Sequence, residues 1–366
     1  MDKPKVLVTR EDIPKSALSI LEEKCELEVM PNKSPISRTD LLNKISGKHG
    51  IFCFLTDKID KEVLDQAGSQ LKVIGTMSVG YDHLDLNEIK KRNITVGYTP
   101  GVLTAPTAEL TVALTLATTR RLFEAHDEIA NGGWAKCSWG PLWMCGSGLV
   151  GAKVGIVGLG SIGLAVAKRL LPFEVAKIMY CGRHEKPEAA AQVLGEYVTF
   201  DQLLQESDVV IIMCPLNDTT RNMFGPTQFA LMKPNAVFIN TSRGGVVDQD
   251  ALVNALKTGQ IAAAGLDVMT PEPLPADHEL TKLKNCGNQI IRVFPLIIPP
   301  CYNYTISVKK NLILSGYLSS DTTYWKRNAT NKNYYGNHDR AKHCQCIGRK
   351  THAGSVVLKK GKKPNR

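Results

Sequence analysis

Apolar residues in this chain gather into short runs set between polar stretches of helix length, and the runs come in two series. The first series is VLVT at 6–9, GIFCFL at 50–55, LKVIGTMS at 71–78 and ITVGYT at 94–99, each of strand length. Together they predict a small α/β layer over residues 1–103. Thr104 to Arg121, TAPTAELTVALTLATTRR, then reads as a long helix leading out of that layer, with Leu110, Leu114 and Ala117 on one stripe. A second series opens after Gly151 with VGIVG, KIMYCG, DVVIIMCP and AVFINTS, again separated by helix-length segments as a doubly wound sheet requires. The fold class is therefore α/β, with two doubly wound layers and a cleft between them.

The stretch from Lys153 to Arg183, KVGIVGLGSIGLAVAKRLLPFEVAKIMYCGR, supplies the first chemistry: an apolar strand, a glycine-rich turn, a helix and a second strand. Gly158 permits the tight turn, Gly160 lets the backbone approach a pyrophosphate, and Gly163 lets the new helix pack closely on the sheet. The N–H groups of Ser161 and Ile162, with the positive end of the helix dipole, suit the phosphates. Val154, Ile156 and Val157 before the turn and Ile162, Val166 and Leu170 after it give the required context. The unit reads as dinucleotide-binding. Where an NAD-specific unit carries an acidic residue for the ribose 2′-hydroxyl, this chain has Cys181-Gly182-Arg183. A carboxylate there repels a 2′-phosphate, whereas a guanidinium offers it forked donors, so the cofactor expected is NADP(H).

At 366 residues the chain exceeds one ordinary domain, and 43% of it is hydrophobic without any apolar run approaching the roughly 18 residues that span a bilayer. No targeting segment is evident in MDKPKVLVTR, so a cytoplasmic location and no membrane partner are expected. Cys25, Cys53, Cys137, Cys145, Cys181, Cys214 and Cys286 show no CxxC pairing and read as buried, reduced thiols; no metal site is expected.

The motifs that remain are TMSVGYDHLD at 76–85, TAEL at 107–110, NGGWAKCSWGPLW at 131–143, CPLNDTT at 214–220, INTSRGGVVDQDAL at 239–252 and AAAGLDVMTPEPLP at 262–275. In this order, and together with the GLGSIG turn, they resemble the D-2-hydroxyacid dehydrogenase family, and within it the glyoxylate/hydroxypyruvate reductase branch. The resemblance runs from the N-terminus to about Cys286. It implies a flavodoxin-like substrate-binding domain over 1–103 and an NADP-binding Rossmann domain over 104–286. It also implies a substrate carboxylate held by backbone N–H groups at Val79-Gly80 and by Arg243. Arg243 suits both duties, since a guanidinium can hold the acid of a 2-oxo acid and polarise its ketone as charge develops on the oxygen. By the same resemblance Pro215 and Asp267 line the cofactor, Asp267 at the nicotinamide end, and Trp139 reaches a neighbouring subunit's active site, which implies a homodimer.

Proton supply departs from the family pattern. The resemblance pairs a glutamate at Glu272 with a histidine about nineteen residues downstream, where this chain has Ile291. Arg243 and Glu272 are then the catalytic candidates that remain. A positioned proton donor contributes about 10²–10⁴-fold, so reduction of the 2-oxo acid is expected to be impaired. His83, beside the Val79-Gly80 turn, is the nearest alternative acid and also reads as a satisfied histidine at a helix start. Two functions fit: an NADPH-dependent 2-oxo acid reductase, or a non-catalytic NADP(H)-binding protein of the same fold acting as a partner or regulatory subunit.

Charge sets the C-terminal stretch apart. Residues 287–366 hold 15 Lys/Arg against 2 Asp/Glu, so the overall 45 and 35 leave 30 and 33 for residues 1–286. The formal +10 of the chain thus belongs to an atypical basic tail, whose composition reads as disordered and which replaces the family's usual last elements. It carries no nucleic-acid recognition fold, so a nucleic-acid partner is not expected.

Overall fold

The computed structural model describes residues 2–138 and 140–288. The sequence expectations for Trp139, for position 291 and for the disorder of the tail lie outside these residues. All described residues belong to one compact unit.

Among the described residues twelve strands form two sheets. The first contains β1 (Lys5–Val8), β2 (Glu26–Val29), β3 (Gly50–Cys53), β4 (Val73–Thr76) and β5 (Thr95–Gly97) in the order β2-β1-β3-β4-β5. The second contains β6 (Lys153–Val157), β7 (Lys177–Cys181), β8 (Glu196–Tyr197), β9 (Val209–Ile212), β10 (Val237–Asn240), β11 (Ala263–Leu266) and β12 (Cys286–Asn288), in the order β12-β11-β10-β9-β6-β7-β8. Every pairing is parallel, with Val157 opposite both Cys181 and Ile212 and Ile51 opposite Ile74. This is the two-layer α/β architecture that the apolar runs predict.

Central strands of the second sheet are buried on both faces, which is why VVII is apolar throughout and VFIN is apolar up to Asn240: all eight residues are buried. Phe224, Phe229 and Phe238 pack edge-on or tilted beneath them with ring centroids 5.1–6.2 Å apart. The outer strands were less visible. ELEV of β2 is exposed or half-buried throughout, and AAGL of β11 is made of small residues.

The helix Thr104–Thr119 packs on the second sheet, and its buried side is wider than the predicted stripe. Leu110 and Leu114 are buried and Ala117 only half so, while Thr111, Thr115, Thr118 and Thr119 go under with them. Burying a hydroxyl costs free energy unless it is bonded. Thr111, Thr115 and Thr118 solve this by donating to the carbonyls of Thr107, Thr111 and Leu114, each at 2.7 Å. The helix can lie so close because β11 presents Gly265 to it, where a Cβ would sit 2.5 Å from Thr118 Oγ1.

β12 crosses Cys286-Gly287, where the resemblance to the family gives out, and pairs with β11 through Ala264 to Leu266. Phe123 closes over it so tightly that a Cβ on Gly287 would meet its ring at 2.5 Å. Cys137 and Cys145 are exposed, not buried, because they sit on the loop after the helix Leu122–Ala130, itself without a buried residue. Among the described residues no helix is long and apolar enough to cross a membrane.

Gly265→Ala should destabilise the protein by about 1–3 kcal/mol, since the new methyl overpacks the contact with the Thr104–Thr119 helix. Chemical denaturation will report it, and Thr118→Ala in the same chain should recover part of the loss.

Candidate active site

In open parallel sheets ligands bind outside the carboxyl ends of the strands, where neighbouring connections run opposite ways. Here those points lie between β1 and β3 and between β6 and β9. The candidate residues collect along the same edges: Val79-Gly80 after β4, Gly158 after β6, Arg183 after β7, Pro215 after β9, Arg243 after β10 and Asp267 after β11.

The glycine turn has the shape a pyrophosphate requires. Gly158 has φ +105°, left-handed backbone that glycine alone tolerates freely, and a Cβ there would sit 2.9 Å from Met213 O. A Cβ on Gly163 would lie 2.3 Å from the carbonyl of Gly158, so this glycine brings the helix Ser161–Leu170 onto the turn. Gly160 at the helix N-cap faces open space within 4 Å. The first-turn N–H groups of Ser161 and Ile162 have no acceptor in their own helix. Cys181 and Cys214 flank the turn from either side, and burial pushes their thiols up to about 12 and about 11. They therefore stay neutral beside the anion site. Arg183 lies exposed past β7 and has no ion-pair partner among the described residues. Tyr197 donates to Gly182 O at 2.9 Å and Tyr180 Oη accepts from Lys186 N at 3.0 Å, which shape the turn carrying it. Pro215 is exposed and its carbonyl accepts from Thr220 Oγ1 at 2.7 Å; Asp267 donates its N–H to Asn240 O at 3.0 Å.

Arg243 joins the two sheets. Its Nε donates to Asp82 Oδ1 at 3.0 Å and its Nη1 to Ser242 O at 2.7 Å. Its Nη2 lies against Gly80, where a Cβ would sit only 1.8 Å away. Glycine is therefore the residue that lets the guanidinium rest on the turn. Neither Nη2 nor the N–H groups of Val79 and Gly80 have an acceptor among the described residues. Nη2 and the Val79-Gly80 turn thus lie together with donors unspent among the described residues. Behind Arg243, the buried Asn240 holds the turn by donating to Arg243 O and accepting from Ser242 N and Oγ, each at 3.0 Å. Gly244 then packs on Met269, whose carbonyl would be 2.0 Å from a Cβ there. The N–H of Met269 donates to Glu272 Oε1 at 3.0 Å, so the exposed carboxylate anchors the loop that Arg243 leans on.

Asp82, Asn240 and Met269 escaped sequence reasoning; the one available signal was their position within or beside the SVGYD, INTSRGG and GLDVM segments. His83 is no acid for this site. Its Nε2 lies 3.0 Å from Thr76 Oγ1, its Nδ1 is buried without a partner, and burial lowers its pKa below the usual 6.5 despite the opposing charges of Asp82 and Asp57. The expectation of a satisfied histidine is corrected as well, since one ring nitrogen has nothing to bond.

Two parallel sheets whose ligand edges meet at one guanidinium, the second opening on a dinucleotide turn, define a class of two-lobed nicotinamide dinucleotide-binding proteins. Residues 112–289 match the family described as D-isomer specific 2-hydroxyacid dehydrogenase, NAD binding domain. The chain is 55% identical over 262 residues to the glyoxylate reductase/hydroxypyruvate reductase of Mus musculus, covering 72% of this chain and 79% of that one. It is 51% identical over 283 residues to the protein of that name from Homo sapiens, covering 77% and 86%. Its structure resembles that of a glyoxylate reductase from Paecilomyes thermophila, with a TM-score of 0.71 at 27% identity over 79% of this chain and 88% of the other. This chain belongs to the D-isomer specific 2-hydroxyacid dehydrogenases.

Two predictions arise from the site. At pH 8 iodoacetamide should label Cys137 and Cys145 and spare Cys181 and Cys214, as peptide mapping will show. Because the folded imidazole of His83 binds its proton less readily than the unfolded one, the unfolded state takes up that proton first. Stability should therefore fall as pH drops below about 6.5 and through the lowered folded value, and His83→Gln should flatten this slope in denaturation curves taken between pH 5 and 7.5.

Proposed function

We propose that this chain binds NADP(H) and reduces a small 2-oxo acid, of the glyoxylate or hydroxypyruvate class, to the D-2-hydroxy acid at a lowered rate. The observation that supports the reading is Arg243 Nη2 lying against Gly80 at the carboxyl end of β4, beside the Val79 and Gly80 N–H groups that have no acceptor among the described residues. A carboxylate fits three such donors. The remaining charge of the guanidinium stabilises the negative oxygen that forms as the ketone is reduced. When bound, the reduced nicotinamide supplies the hydride. Pro215 and Asp267, past β9 and β11, are the residues that would border it, and Ser161, Ile162 and Arg183 would hold its phosphates.

Arg183, exposed past β7 and without an ion-pair partner among the described residues, supports NADP(H) over NAD(H). Glu272 is engaged by Met269 N–H, and with isoleucine at 291 it has no imidazole partner in the family's place, which slows protonation of the product oxygen. The second reading, a non-catalytic NADP(H)-binding subunit, draws on the same isoleucine. Pairing of two copies is supported by exposed apolar side chains on one segment, with Leu122, Ile129, Trp134 and Leu142 all more than half exposed. Trp139 lies within that segment. A cytoplasmic enzyme acting on a small anion is the role proposed.

A steady-state assay with glyoxylate and NADPH, run beside a calorimetric NADPH titration, tests the reading. Binding with turnover about 10²–10⁴-fold below that of relatives with the histidine supports it. Binding with no turnover favours the second reading, and no binding removes both. Arg183→Asp should weaken NADPH binding at least tenfold and leave NADH binding equal or better, whereas equal loss of both cofactors means the 2′-phosphate assignment is wrong.

A further inference from the structure

The Val79-Gly80 turn rests on a chain of buried polar groups whose directions can be worked out from one end. Ser78 Oγ lies 2.6 Å from Gly80 O, and a carbonyl only accepts, so the single hydroxyl proton of Ser78 points there. Ser78 Oγ must then accept from Thr76 Oγ1, 2.7 Å away. That commits the proton of Thr76, so Thr76 Oγ1 accepts in turn from His83 Nε2 at 3.0 Å. The imidazole is therefore the Nε2–H tautomer, and the bare lone pair is on Nδ1, the buried atom with no partner. Thr76 and Ser78 are each 2% exposed, and Ser78 O also accepts from Thr99 N at 2.9 Å, so the chain is fixed at both ends of the turn.

We propose that His83, Thr76 and Ser78 are positioning residues for substrate binding: a one-way hydrogen-bond relay that holds the Gly80 carbonyl and so fixes the turn that carries the N–H groups of Val79 and Gly80 beside Arg243. The need for such a relay comes from the glycine itself. Arg243 requires a residue without a Cβ at position 80, and glycine is the residue most free to turn its peptide away. Its neighbour across the peptide, Tyr81, is exposed and packs edge-on with Tyr98, itself exposed, at 6.0 Å. The restraint on Gly80 thus comes from Ser78 below it. The histidine ends the relay because burial keeps it neutral and its only proton is already directed at Thr76.

The proposal rests on the reading that the substrate carboxylate sits at Val79-Gly80 and Arg243. Oxamate, an unreactive isostere of a 2-oxo acid, separates the two, titrated calorimetrically into the NADPH-loaded protein so that turnover is not needed. Ser78→Ala and Thr76→Val should each weaken oxamate about tenfold, through loss of charge-assisted hydrogen bonds, while NADPH affinity stays within twofold. Thr76→Ser, which keeps the hydroxyl, should restore oxamate binding, and His83→Gln, which keeps a donor, should cost less than His83→Phe. Hydrogen exchange at the amides of residues 79–81 should quicken in Ser78→Ala and not in Thr76→Ser. If Ser78→Ala and Thr76→Val bind oxamate as the unsubstituted protein does, or if Thr76→Ser fails to restore it in a folded chain, the relay is wrong. If Arg243→Gln leaves oxamate binding intact, the carboxylate site itself is misplaced, and the relay falls with it.

Discussion

A guanidinium lying on a backbone without a side chain is the contact around which the rest of this site is arranged. Arg243 comes from the sheet that begins with the dinucleotide turn, Gly80 from the other, and their meeting closes the cleft. The Arg243–Asp82 ion pair is more than a quarter exposed on each side, so its direct contribution is about 0–1 kcal/mol. Its value is geometric. Nε is occupied by Asp82 and Nη1 by Ser242, which leaves Nη2 as the corner of the fork directed at Gly80. The same device recurs one residue on, where Gly244 allows Arg243's turn to lie on Met269 and thereby on the loop bearing Glu272.

Much of this was legible in the sequence, and the parts that were not share a cause. Strands β6, β7, β9 and β10 announce themselves because both faces are covered and their central residues are apolar or glycine. β2 and β8 lie at sheet edges and bury little, while β11 needs small residues to admit the Thr104–Thr119 helix, so none shows an apolar run. The threonines of that helix lie outside the apolar stripe the sequence shows, yet they are buried because each bonds within its own turn. Gly158 and Gly163 were visible because motif spacing encodes them, and Gly80 and Arg243 because their segments resemble the family's. Met269 acts through its backbone N–H and carbonyl, which leave no mark in a residue sequence, and Asn240 acts through a side-chain amide that reaches only its own turn.

The cofactor edge shows how neutral groups can matter as much as charged ones. A thiolate beside the glycine turn would repel a pyrophosphate, and two cysteines stand there. Their burial at the ends of β7 and beyond β9 holds them protonated far above neutral pH, so they pack as small apolar side chains and leave the helix dipole and the first-turn N–H groups unopposed. The same logic governs His83, which burial keeps uncharged within about one turn of a guanidinium, where an imidazolium would compete for the substrate's anion.

Both ligands assigned to this protein are anions, yet residues 1–286 carry more acidic than basic side chains, 33 against 30. Attraction over long distances therefore has little to draw on in this part of the chain, and charges more than about 8–10 Å apart are screened at physiological salt. Recognition must be local. On the function proposed it depends on a few donors at short range, namely the Arg243 fork, the Val79 and Gly80 amides, and the N-terminus of the Ser161–Leu170 helix. A local arrangement of this kind is insensitive to the net charge of the molecule and sensitive to any shift of the backbone that aims it. That is why glycines at 80, 158, 163 and 244, each packed against a neighbour that a methyl group would strike, set the limits within which this sequence can vary.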